Sequence, residues 1–149
     1  MESEGLPEPQ PEPAPADARE KLILLVDDDE SLLDIVEHVV RREGFRTDRA
    51  VDGPQALHKA QTLLPDLILL DYMLPGKGGY EVLRELQSTG HGDIPIVIIT
   101  GRSLDDKQIA LVRQEPNVRD FLIKPMRPPV LTALLHSLLK TRPSGPRGG

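Results

Sequence analysis

Four places along this chain of 149 residues carry groups able to hold a cation or act on an anion. Asp27-Asp28-Asp29-Glu30 follows the apolar run Leu22 to Val26, and Asp71 follows Leu67 to Leu70. Thr100 follows Ile94 to Ile99, and Lys124-Pro125 follows Phe121 to Ile123. Carboxylates brought within a few ångström of one another repel strongly, and protonation or a divalent cation relieves that repulsion. A set of oxygen ligands favours Mg²⁺. A carboxylate beside such a cation is placed to attack phosphorus in line, with a lysine as fixed positive charge for the phosphoryl oxygens and a hydroxyl to bond the product. Each group also has an ordinary reading, because an acid after a strand often caps a turn or favours the start of a helix. Only their convergence makes a site, so the elements that carry them decide the matter.

Those elements alternate. Leu22 to Val26 reads as a strand, and Ser31 to Glu43 places Leu32, Leu33, Ile35, Val36, Val39 and Val40 at helical spacing. Gly44 ends that helix. Phe45 to Ala50 and Gln55 to Leu64 form the second strand and helix, Leu67 to Leu70 and Gly79 to Gln87 the third pair. Ile94 to Thr100 with Leu104 to Gln114, and Phe121 to Ile123 with Pro129 to Leu139, complete five strand–helix units. Strands that are apolar at every position are covered on both faces, as in a parallel sheet between two helical layers. The expected fold is therefore a doubly wound α/β sheet. Ligands of such sheets bind beyond the carboxyl ends of the strands, and the four polar groups stand at those ends.

Composition narrows the function further. With 38% hydrophobic residues there is material for one core, and no apolar run approaches the roughly 20 residues of a membrane span. The start has no basic, apolar leader, so a cytoplasmic location without membrane insertion is expected. Cysteine is absent, which removes disulfides and thiolate metal sites. Residues 1–20 hold six acidic residues against Arg19 alone and alternate with proline from Pro7 to Pro15, so a disordered, solvated Pro/Glu-rich tail is expected there. Residues 21–141 form the expected domain, and 142–149, with two Pro and three Gly, a second disordered tail. No basic face with aromatic residues for stacking stands out, so direct nucleic-acid binding is not expected. No output domain is expected after Thr141, and the chain is expected to act through another protein.

The motifs resemble those of a known family, the receiver domains of two-component response regulators, over Lys21 to Leu139. Leu24-Leu25-Val26-Asp27-Asp28 resembles the acidic pair after the first strand, and Leu69-Leu70-Asp71-Tyr72-Met73-Leu74-Pro75-Gly76 the phosphoacceptor segment. Ile98-Ile99-Thr100 resembles the switch segment and Lys124-Pro125 the lysine step. The resemblance implies a stand-alone, chemotaxis-regulator-like module with a flavodoxin-like fold, strand order 2-1-3-4-5. Asp71 would be the phosphoacceptor, with Thr100 and Lys124 completing the chemistry. Mg²⁺ would be held directly by Asp28 and Asp71, by the Met73 backbone carbonyl, and by Asp27 mainly through water. A histidine kinase, a histidine phosphotransfer protein or a small phosphodonor would load Asp71. Thr100 and the aromatic Phe121 would then turn inward and reshape the face of the fourth helix, fifth strand and last helix, which would meet a downstream effector or pair two copies on phosphorylation.

Some residues depart from the family pattern. Three consecutive acids compete for the first position, and the register from Val26 selects Asp27 and Asp28, leaving Asp29 as helix cap. Gly101 leaves room beside Thr100. Glu115-Pro116-Asn117 replaces the usual Gly-Ala approach to the fifth strand, so the fourth helix should stop at Pro116. Met73 offers no side-chain hydrogen bond to an attacking water and Arg102 is placed to screen the site, so slow self-dephosphorylation is expected.

Other signals have plainer readings. Pro75 to Gly79 lacks the ending of a P-loop and fits a turn. His38, His58, His91 and His136 show no zinc spacing and are expected at surface or boundary positions. Ser103 to Asp106 is expected to cap the fourth helix. Two rival functions remain. A haloacid-dehalogenase-like phosphatase would use Asp27 as nucleophile, but would lack acids after its lysine and leave Asp71 without a role. A scaffold with the receiver fold would signal without phosphate.

Overall fold

The computed structural model describes residues 14–76, 78–101 and 104–143. Five parallel strands form one sheet in the order β2-β1-β3-β4-β5: β1 (Leu22–Val26), β2 (Arg46–Ala50), β3 (Leu67–Asp71), β4 (Ile96–Thr100) and β5 (Val118–Ile123). The helices between and after them are α1 (Glu30–Arg42), α2 (Gly53–Leu63), α3 (Gly79–Ser88), α4 (Asp106–Arg113) and α5 (Pro128–Leu139). The doubly wound α/β architecture and strand order are those expected.

The pleat of each central strand sends alternate residues to opposite faces. Leu24, Ile68, Leu70, Ile96 and Ile98 pack with α2, α3 and α4, where Leu57, Leu83, Leu86 and Val112 meet them. Ile23, Leu25, Leu67, Leu69, Val97 and Ile99 pack with α1 and α5 through Val36, Val40, Leu131 and Leu135. Burying one such Leu or Ile contributes roughly 1.5–3 kcal/mol, so the three central strands need covering on both faces. This forces the two-layer winding.

Several boundaries differ from expectation for local reasons. β4 starts at Ile96 rather than Ile94, because Pro95 has no amide to donate and only its carbonyl joins the sheet, accepting from Ile68. β5 starts at Val118 instead of Phe121, and the exposed Arg119 and Asp120 of this edge strand hide it from an apolar-run reading. α4 is shorter than expected and is capped by Asp105, which accepts from the Gln108 amide at 2.8 Å while Gln108 accepts from the Asp105 amide at 3.1 Å. Ser103, the expected cap, lies outside the described residues. α4 ends at Arg113, just short of Pro116.

The chain ends also depart from expectation. Asp17 caps a 3₁₀ turn at Ala18–Glu20, Ala18 is buried, and Ala16 pairs in parallel with Thr141. Residues 16–20 and Arg142, expected in the tails, are thus hydrogen-bonded to the domain: Ala16 donates to the Lys140 carbonyl and Arg142 to that of Ala16, both at 3.0 Å.

His136 holds this junction. Expected at a surface or boundary position, it is instead 5% exposed, with Nε2 2.8 Å from Glu43 Oε1 and Nδ1 2.6 Å from Thr141 Oγ1. A carboxylate only accepts, so Nε2 donates to Glu43, and in the neutral ring Nδ1 accepts from the Thr141 hydroxyl. The periodicity of α5 puts His136 one turn beyond Thr132 and Ala133, and the carboxylate that satisfies it is that of Glu43, the residue that caps the end of α1. Replacing Thr141 with Val keeps the shape and leaves Nδ1 without its donor. A loss of about 1–3 kcal/mol in urea unfolding is expected, with faster amide exchange at Thr141 and Arg142.

Candidate functional site

β1 lies between β2 and β3, so the chain leaves it in opposite senses on its two sides and opens a crevice above the ends of β1 and β3. Ladder bonds run past the strand ends and hold the polar residues there: Asp27 donates to the Ala50 carbonyl at 3.1 Å, Tyr72 to Ile99 at 2.8 Å, and Lys124 to Thr100 at 2.9 Å. Asp71 pairs in register with Ile99, so Thr100 stands one residue further along the neighbouring strand.

The three carboxylates converge. Asp27, Asp28 and Asp71 each offer an oxygen within 4.8 Å of the others. Asp27 and Asp71 are buried and Asp28 is exposed. At an effective dielectric constant near 20, two unit charges at that separation repel by about 3.5 kcal/mol, so the cluster needs a cation. Lys124 supplies one, with Nζ 2.8 Å from Asp27 Oδ2 and 3.3 Å from Asp71 Oδ2. One ammonium against three carboxylates leaves negative charge over. The all-oxygen donor set on the open side at Asp28 suits a hard divalent ion such as Mg²⁺.

Backbone amides fix the carboxylates. Asp27 Oδ1 accepts from the Asp29 amide at 2.9 Å, and Asp71 Oδ1 from the Met73 amide at 3.0 Å. Asp29 instead caps α1, accepting from the Leu32 amide at 3.1 Å. Burial raises the Asp71 carboxyl above its ordinary range; the Met73 amide opposes this, the Asp27 charge adds to it, and Lys124 offsets part. For Lys124, burial alone would lower its pKa, but the Asp27 hydrogen bond and the two carboxylate charges outweigh burial and raise it.

Thr100 is buried at 2% exposure at the end of β4. Phe121, paired with Ile98 in β5, is half-buried against the core on the α2–α4 side, and the Arg113 guanidinium lies 5.1 Å from its ring centroid. The Met73 side chain is 63% exposed. Arg102, expected to screen the site, lies outside the described residues.

Some contributors have no sequence signal. The amides of Asp29 and Met73 and the Arg113 contact depend on geometry alone. Gly79 is another: a Cβ there would lie 2.8 Å from the Tyr72 Cα, so only glycine lets α3 start this close to the segment after Asp71.

Residues 23–136 match the family model described as the response regulator receiver domain. The chain belongs to this family. It is 38% identical over 130 residues to the DNA-binding response regulator MtrA of Mycobacterium tuberculosis, covering 87% of this chain and 55% of that protein. The receiver domain thus spans about half the length of the curated relatives it matches. Among solved structures, the receiver domain of the sensor histidine kinase PA1611 from Pseudomonas aeruginosa, with a magnesium ion coordinated in its active-site cleft, is 29% identical with a TM-score of 0.71, over 80% of this chain and 97% of that one. The chemotaxis protein CheY4 of Vibrio cholerae is 27% identical with a TM-score of 0.72, over 80% and 98%. The protein is a signalling domain of the two-component type, and among the described residues no helix is long and apolar enough to cross a membrane.

The raised Asp71 pKa has a consequence for metal-free protein. Stability from this group is present below the unfolded carboxyl value of about 3.9 and is lost as pH rises through the higher folded value. Asp71→Asn is therefore expected to stabilise the receiver domain at neutral pH in a chelator and to give no gain in acid, as read by urea unfolding across pH.

Proposed function

We propose that Asp71 is the phosphoacceptor of this receiver domain and that a histidine kinase or histidine phosphotransfer protein loads it. The observation that carries the reading is a buried carboxylate held by the Met73 amide on one oxygen and by Lys124 on the other, beside two further carboxylates. A carboxylate oxygen of Asp71 attacks phosphorus, the bond from phosphorus to the donor atom breaks, and its electron pair leaves with the donor. Lys124 neutralises charge on the phosphoryl oxygens. Mg²⁺, which PA1611 carries in its cleft, is here assigned to Asp28, Asp71 and the Met73 carbonyl, with Asp27 acting mainly through water. When bound it supplies further charge neutralisation for the phosphoryl group.

The buried Thr100 hydroxyl then bonds a phosphoryl oxygen, and Phe121 follows it inward. The face of α4, β5 and α5 changes shape and meets an effector protein. Phosphate stabilises an arrangement that the free domain already visits, so the signal is a shift of population. The exposed Met73 side chain can polarise no attacking water, which supports a long-lived acyl phosphate.

Incubation with acetyl phosphate and Mg²⁺, read by intact mass, is expected to add one phosphoryl group to the wild type and none to Asp71→Asn. Lys124→Ala should slow labelling about a hundredfold. Label retained in Asp71→Asn but lost in Asp27→Asn would overturn the assignment. Met73→Asn is expected to shorten the phosphoryl lifetime; an unchanged lifetime removes Met73 from the account of slow reset.

A further inference from the structure

Glu115, Pro116 and Asn117 form the segment that departs from the family pattern, and the site chemistry uses none of them. Two of the three carry buried polar side chains. The Glu115 carboxylate is 5% exposed and meets Arg84 Nη1 of α3 at 3.0 Å, while the Arg84 side chain is 59% exposed. Asn117, 3% exposed, donates from Nδ2 to the Ile94 carbonyl and accepts from Gln87 Nε2 of α3, both at 3.0 Å. Its own carbonyl accepts from Ile96, the first residue of β4, at 2.8 Å.

These bonds all gather at one end of α4. The helix buries a single residue, Val112, in its last turn, and the Glu115 amide donates to the Val112 carbonyl at 3.0 Å. Its opening is different. Asp105, Asp106, Lys107, Ala110 and Leu111 are exposed, and among the described residues the Asp105–Gln108 capping box closes the first turn on itself without a hydrogen bond or ion pair to another element. α4 is thus fixed to α3 and to the start of β4 at its end and lightly held at its beginning. Arg113, at the fixed end, is the residue over the Phe121 ring.

We propose that Glu115 and Asn117, with Arg84 and Gln87 of α3, are an anchor about which α4 pivots when Asp71 is loaded, so that the beginning of the helix moves while its end stays. The regulatory part of this proposal rests on the phosphoacceptor reading of Asp71. The anchor makes α3 part of the output: Glu115 is buried and its partner lies largely in solvent, so an acidic surface that draws Arg84 away leaves a buried carboxylate without its cation and frees the end of α4. All four are positioning residues and touch no phosphoryl group.

Amide hydrogen exchange on the full chain tests the anchor, first unloaded and then with beryllofluoride and Mg²⁺ standing in for the phosphoryl group. In the unloaded wild type, the amides of Val112, Arg113 and Glu115 are expected to exchange more slowly than those of Ile109, Ala110 and Leu111. Loading should speed exchange only in the second group. Arg84→Met, which leaves the buried Glu115 carboxylate without its cation, and Glu115→Gln, which keeps the bulk and removes the charge, should each speed exchange of the first group by roughly two- to thirtyfold and leave the beryllofluoride concentration for half-loading unchanged, because the anchor is the same in both states. The double variant should add little to either single one, because both remove the same contact. Equal exchange along α4 in the unloaded wild type, or unchanged exchange of the first group in Arg84→Met, overturns the anchor. A wild type that takes up no beryllofluoride overturns the Asp71 reading instead, while the unloaded comparison still decides the anchor.

Discussion

Repulsion among Asp27, Asp28 and Asp71 is the constraint on which the rest of the receiver domain depends. Three carboxylates within 4.8 Å of one another are tolerated because Lys124 lies against two of them and backbone amides hold an oxygen of each buried one. The amides lie two residues along the chain from the carboxylates they hold, but the lysine is distant in sequence. The lysine comes from the end of β5, two strands from β3 in the sheet, so the full cluster exists only once β1, β3, β4 and β5 are paired. The burial that raises the Asp71 pKa also shields its carboxylate from bulk solvent.

The apolar sheet meets that demand. Its three central strands are covered on both faces and form a rigid platform with polar residues only at one edge. Rigidity there lets flexibility be placed elsewhere. β5 is an edge strand with exposed side chains, and α4 has one buried residue, so the layer beyond β4 is lightly packed. Regions with few buried contacts are the ones that rearrange at low cost. Here they adjoin Thr100 and Phe121. Away from the site, the Glu43–His136–Thr141 chain of hydrogen bonds closes the junction of the two termini.

Much of this was legible in the residues themselves. Continuous apolar runs identified four of the strands, helical periodicity identified five helices, and the polar residues at strand ends marked the edge where a ligand would bind. Asp29 as the cap of α1 followed from its place beside Val26, Asp27 and Asp28. The signals that failed were those in which burial does not follow hydrophobicity. The beginning of β5 is charged because it lies at the sheet edge, and Ala16, which opens the polar stretch to Glu20, pairs with the distant Thr141. His136 and Glu115 are buried because partners from the cap at the end of α1 and from α3 satisfy them.

The sequence by itself determined the strand–helix alternation, the doubly wound class and the identity of the groups at the strand ends, since these depend on local periodicity and on residue type. Tertiary structure alone decided how closely Asp28 approaches Asp71, that Lys124 spans two carboxylates, and that the end of α4 is bonded to α3 and to the start of β4 through Glu115 and Asn117. Each of these depends on distances between residues far apart in the chain, and no local pattern encodes such a distance.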